Sequence, residues 1–238
     1  MTLPGPVRSA LLFFVLTALA LPAAAQATSV PVPTPKPPVG TRTEGGQKPA
    51  NSFGLPKEEI ACRKRLEGLG VRFSPVKRIT EKKGCGIRYP IEISQLPGGI
   101  ILSGRAVLNC ETGEALAKWT AKAAAPEAKK RLGAGLKKID QYASYHCRTR
   151  NSLKGTKLSE HSKGNAVDLG RFHLTDGRVI DVSSQPKKGS AEARFLKELR
   201  DAGCTFFTTV LGPGSDIYHD THFHFDIAKR RNGSRYCK

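Results

Sequence analysis

The sequence predicts an α+β domain: a small, mainly antiparallel sheet flanked by helices and stabilised by disulfides. Three observations lead there. Helix-period and strand-period segments are interspersed without the regular β-α-β alternation that builds a parallel sheet. The six cysteines stand singly, with no C-x-x-C pair, and an even count behind an export-type leader suits disulfides whose connectivity stays open. The chain of 238 residues has room for one domain of ordinary size with its own core.

The first 27 residues are not domain material. Arg8 precedes an apolar run from Ala10 to Leu21, and Ala23, Ala25 and Ala27 then fall in A-x-A spacing. The run is short for a bilayer span, so residues 1–27 read as a cleaved secretory signal, which leaves no stable membrane anchor and puts the protein in the periplasm or outside the cell. Residues 28–56 are rich in Pro, Gly and polar side chains with no apolar period, and read as an extended linker.

The folded domain is expected over 57–238. KEEIACRKRLEGLG is a short amphipathic helix carrying Ile60, Leu66 and Leu69 and stopped at Gly70. VRFSPV and IEISQL are strands, and LPGGIIL holds a turn. CETGEALAKWTAKAAA is a helix with Thr112 as cap and Leu116 and Trp119 on one face. APEAKKRLGAGLKKI continues it past a break at Gly133 and Gly135. QYASYHCRTR, NAVDLGRFHL and RVIDV are strands, the last two joined by the turn TDG. SAEARFLKELRDAG is a helix capped by Ser190 and closed by Gly203, and CTFFTTVL and HFHFDIA are the final strands.

The formal charge of +19 implies an anionic partner. A single Trp, few aromatics and no recognition-helix or stacking-sheet motif argue against nucleic acid. For an exported chain, wall polymers are the nearer anions. Oligomeric state is not legible.

Two segments carry chemistry. In a strand alternate side chains share a face, so HFHFD sets His222, His224 and Asp226 on one side and Phe223, Phe225 and Ile227 on the other. The same rule puts Ala166 and Asp168 of NAVDLG opposite Val167 and Leu169. The aromatic side suits a core; the histidine side does not. His161, Asp168 and His224 supply two imidazoles and one carboxylate, a set that suits Zn2+ with one position left open and a net site charge of about +1. Calcium and magnesium want more oxygens. His146 and His173 lack such a setting and read as ordinary strand or edge residues.

SEHSKGNAVDLG resembles the S-x-H-x-x-G-x-A-x-D motif of zinc peptidases that include D-Ala-D-Ala carboxypeptidases and dipeptidases, a murein endopeptidase and the hedgehog signalling domain. Within that group, Cys62 to Cys237 resembles the bacterial extensin-like C-terminal family, through SYHCRTR, LSEHSKGNAVDLGRFHL, DGRVIDV, AGCTFF, VLGPGSD, HDTHFHFDIA and RYC. The resemblance implies the hedgehog/DD-peptidase-like fold, zinc on His161, Asp168 and His224, and a peptidase acting on peptidoglycan stem peptides or cross-links. It implies substrate binding by Ser159 and by Arg148, with Arg150 the alternative. The carboxypeptidase branch places a catalytic Glu three residues before the last ligand, where this chain has Thr221. His222 or His219 is then the expected base, helped by Asp220, because a neutral imidazole can take a proton from water and pass it to a leaving amine. The competing expectation is a zinc-containing module that binds peptidoglycan or another anionic wall polymer without cutting it, as hedgehog-type domains use the site without catalysis.

Overall fold

The computed structural model describes residues 54–81 and 84–238; the signal segment 1–27 and linker residues 28–53 lie outside these. Helix α1 (Lys57–Gly68) buries Cys62 and Leu66, and the chain turns out of it at Gly70, whose φ of 76° is open to glycine at no steric cost. Strands β1 (Arg72–Pro75), β2 (Ile79–Thr80), β3 (Gly86–Ile87), β4 (Ile91–Leu96) and β5 (Ile100–Leu108) follow.

Helix α2 (Cys110–Trp119) starts one turn earlier than expected. Asn109, not Thr112, is its cap: the Asn109 side chain accepts from the Thr112 N–H at 2.8 Å. Thr112 is wholly buried inside the first turn, and its hydroxyl has no partner among the described residues. A π-helical turn over Thr120–Ala124 joins α2 to α3 (Ala125–Leu132). Pro126 cannot donate to a carbonyl one turn back, and the ladder widens just before it.

Helix α3 ends at Gly133, in the left-handed conformation (φ 70°), with the Gly133 N–H on the Lys129 carbonyl. LKKI therefore does not continue the helix, as expected from sequence; it opens strand β6 (Leu136–Ala143), which stops before SYHCRTR. Strands β7 (Ala166–Leu174) and β8 (Val179–Asp181) form the expected hairpin. Helix α4 (Ala191–Phe206) is capped by Ser190, whose hydroxyl accepts from the Ala193 N–H. It runs three residues past Gly203, so Cys204–Phe206 is helix and only Thr209–Leu211 is strand β9. Gly203 serves packing instead of termination: a Cβ there would come within 3.2 Å of the Phe225 ring. Strands β10 (Phe223–Asp226) and β11 (Tyr236–Cys237) complete the chain order.

The main sheet runs β1-β4-β5-β6-β7-β10-β9-β11, with β8 on β7, while β2 and β3 form a separate ribbon. Pairings are antiparallel except β5–β6 and β9–β11. The architecture is α+β, as expected, with a mixed sheet that is mostly antiparallel. Helices α2, α3 and α4 pack together, and Trp119, Phe195 and Phe207 meet Phe172, Phe223 and Phe225 of the sheet. Trp119 donates its indole N–H to the Leu199 carbonyl at 3.0 Å, so its one polar group is satisfied inside the core. Edge-on ring pairs such as Trp119–Phe225 add roughly 0.5–1.5 kcal/mol beyond burial.

All six cysteines pair. Cys62–Cys110 ties α1 to the start of α2, Cys85–Cys147 ties β3 to the segment after β6, and Cys204–Cys237 ties α4 to β11. Each such cross-link is worth about 2–4 kcal/mol.

Candidate metal centre

The register of two strands builds half the site. In the β7–β10 pair His224 lies directly across from Asp168, with Phe225 opposite Val167 and Phe223 opposite Leu169. Alternation sends those apolar pairs into the helix-covered core and leaves the imidazole and carboxylate on the other face. His161 arrives from outside the sheet, on the short 3-10 turn Glu160–Lys163. That turn is closed by Gly164 (φ 67°), where a Cβ would collide with the Ile87 side chain and come within 2.9 Å of the Asn109 nitrogen. The glycine between the two motif residues is thus required both by backbone angle and by space.

The donor atoms meet at one point. His161 Nε2 lies 3.1 Å from Asp168 Oδ1 and 3.1 Å from His224 Nδ1, and His224 Nδ1 lies 2.9 Å from Asp168 Oδ1. Ligand atoms of a tetrahedral zinc ion with bonds of about 2.0–2.1 Å stand roughly 3.3 Å apart, so this triangle is close to one face of that tetrahedron. All three side chains are buried.

The outward hydrogen bonds fix the tautomers. His161 Nδ1 is 2.6 Å from the Ser144 carbonyl, which only accepts, so the proton of the neutral ring sits on Nδ1 and the Nε2 lone pair points inward. His224 Nε2 is 3.1 Å from Asp226 Oδ2 and donates to it, which frees the Nδ1 lone pair. Three lone pairs then face one another in a buried place, an arrangement that a cation satisfies and that holders of this kind outside the first ligands commonly support. The donor set fits zinc.

Without a cation His224 takes up a proton. Burial pushes His224 down, but hydrogen bonds to Asp168 and Asp226 outweigh it and raise the imidazole to about 9. Burial pushes the Asp168 carboxyl up, and the bonds from His161 and His224 outweigh it and hold it well below the usual range. Asp226 moves down the same way, against burial, through His224.

The centre opens into a cleft of about 400 Å3. His222 stands at its rim just ahead of β10, with Nε2 3.6 Å from Asp168 Oδ2, and burial lowers its basicity below the ordinary imidazole value. The His219 ring lies 5.4 Å from His222 and 5.5 Å from His224. Its Nδ1 is 2.7 Å from Asp216 Oδ1, so Asp216 is the carboxylate that orients it. Asp220, expected in that role, instead accepts from the Gly214 N–H at 3.2 Å. Four of the six histidines therefore gather here. His146 is exposed, and His173 pairs with Asp140 elsewhere on the sheet.

Ser159, Arg148 and Arg150 all line the cleft. Ser159 is buried and caps the His161 turn, its hydroxyl facing the His161 N–H at 3.4 Å. Asp216, Tyr218, Arg230 and Tyr236 line it too, and sequence reasoning singled out none of them. Asp216 had a signal, three residues before His219 in a glycine-rich loop. Arg230 and Tyr236 reach the cleft only through the pairing of β9 with β10 and β11, which no local pattern announces.

No curated protein and no solved structure matches the chain. The family described as extensin-like protein C-terminus matches residues 60–238, a span that holds every residue of the centre and its cleft, and the chain belongs to that family.

Proposed function

We propose that the protein is an exported zinc-dependent peptidase that hydrolyses amide bonds in peptidoglycan stem peptides or their cross-links, and that its domain is kin to the hedgehog and D-Ala-D-Ala peptidase group. The observation that carries this reading is the convergence of three inward lone pairs from His161, Asp168 and His224 at the floor of an open cleft. His161, Asp168 and His224 would hold zinc, which when bound supplies a Lewis acid that acidifies water and polarises a carbonyl. The chain's own groups do the rest. His222, kept neutral by burial at pH 7, accepts the proton from the attacking water. His222 then returns that proton to the leaving amine, while His219, its Nδ1 held by Asp216, lies beside it with ring centroids 5.4 Å apart. Arg148 or Arg150 takes a substrate carboxylate, for which a planar guanidinium is suited. Six paired cysteines support an oxidising compartment, and among the described residues no helix is long and apolar enough to cross a membrane.

The test is zinc-loaded protein on purified sacculi, read by new amine termini and shortened muropeptides. His222→Ala should lower turnover by about 10²–10⁴-fold while the protein keeps one zinc per chain. A second reading, a zinc-containing module that binds wall polymer without cutting it, is favoured by Thr221 at the position where the carboxypeptidase branch has its glutamate. Binding to sacculi with zinc present, the fold intact and no product would establish that reading over the first.

A further inference from the structure

We propose that Arg230 is a second carboxylate contact, on the cleft wall opposite Arg148, so that the site takes an extended peptide bearing an anionic group on each side of the amide to be cut. This rests on the peptidase reading and narrows its substrate. Arg230 lines the cleft with its guanidinium fixed: Nη1 donates to the Thr208 carbonyl at 2.9 Å and Nη2 to Thr209 Oγ1 at 2.7 Å. Thr209 is buried and lies directly across from Asp226, the residue that orients ligand His224. The cation is therefore held in register with the metal centre.

It has no carboxylate of its own among the described residues; its partners are a carbonyl and a hydroxyl, and its remaining N–H donors are unspent. The cleft's carboxylates are engaged elsewhere: Asp216 by His219, Asp226 by His224, Glu160 by Asn165 and Lys163. Arg235, in the same terminal segment, makes the contrast. It donates to the carbonyls of Cys204 and Phe207, does not line the cleft, and is the arginine that merely fastens the tail.

Strand order supplies the placement. Asp168 and His224 sit on the neighbouring strands β7 and β10, and Arg230 rests on β9, on the side of β10 away from β7. Arg148 lies in the segment that follows β6, on the other side of β7, and its carbonyl accepts from the Ser159 N–H at the foot of the His161 turn. An extended peptide laid across the metal centre therefore has one arginine toward each end.

The experiment uses the full-length zinc-loaded protein and a fluorescent synthetic pentapeptide with a glutamate side-chain carboxylate near one end and a free carboxylate at the other. Two further versions carry one carboxamide each, and binding is read by anisotropy on ice. Amidating either end should weaken binding to the unaltered protein by about tenfold, the usual worth of one charge-assisted contact. R230Q should become indifferent to one amidation and R148Q to the other, while R230K keeps part of the preference. Zinc content and circular dichroism verify that each variant is folded and loaded; if R230Q fails this check, R230K decides. A folded R230Q, or in its place a folded R230K, that discriminates both ends as strongly as the unaltered protein overturns the inference. So does an unaltered protein indifferent to both amidations, and in either case release of amine termini from sacculi leaves the peptidase reading standing.

Discussion

The sheet carries two histidine–aspartate clusters, and only one calls for a cation. At Asp140 each oxygen meets a donor: the Ser103 hydroxyl at 2.6 Å, His173 Nε2 at 2.7 Å and the Lys138 ammonium at 3.0 Å. At Asp168 the histidines turn their protons outward, to the Ser144 carbonyl and to Asp226, and face the carboxylate with lone pairs. Without a cation both carboxyls lie below their ordinary value, Asp140 at about 2 and Asp168 likewise depressed, against burial and through bonds from their histidines. A shifted carboxyl therefore does not separate an ion pair from a metal site; the direction in which the ring protons point does. Position adds to this, since the first cluster is half-buried near the end of a strand pair and the second is buried at the floor of a cleft.

The comparison breaks most visibly at the two aspartates. Asp168→Asn should remove stoichiometric zinc, lowering affinity by more than about 100-fold, whereas Asp140→Asn should leave zinc content unchanged and cost about 1–3 kcal/mol of stability. Metal analysis after dialysis, beside a urea melt, reads both. Asp226→Asn comes next. It leaves the three ligands in place but takes the anionic acceptor from His224 Nε2, so zinc affinity should fall by about 10–100-fold. Competition with a chromogenic chelator measures that.

The third outcome concerns pH and is the smallest. In chelated protein His224 titrates near 9, above its unfolded value of about 6.5, so its contribution to stability is whole below pH 6.5 and is lost as pH rises through about 9. Asp168, depressed in the fold, contributes above its unfolded value of about 3.9 and loses that as pH falls. Chelated protein should melt lower at pH 9.5 than at pH 6.5. Zinc-loaded protein should not follow this trend, because the ion takes the place of the proton. Thermal melts with and without chelator decide it.

Much of the centre was legible because it obeys short-range rules. Alternation along HFHFD alone separates His224 from Phe223 and Phe225, and the glycine inside SEHSKGNAVDLG marks a tight turn. What escaped depends on distance or on competition between local signals. Thr112 looked like a cap because it opens the apolar run, yet Asn109 reaches its N–H first. LKKI kept a helical look, and Gly133 ended the helix all the same. Gly203 resembled a stop but is small to admit Phe225. Asp220 sits beside His219 in sequence, while the loop folds Asp216 onto the ring. Arg230 was invisible, since its place is set by a strand some twenty residues earlier.

Strand β11 leans on β9 through backbone bonds from Tyr236 to Thr208 and from Lys238 to Val210, and its lasting attachment is the sulfur bridge from Cys237 to α4. A thiol-rich environment that opens this bridge would leave Asp168 and His224 on their strands and His161 on its turn while the far bank of the groove, with Tyr236, comes loose. Grip on a substrate along that bank and grip on a metal are thus secured by different bonds, and opening the Cys204–Cys237 bridge reaches the former alone.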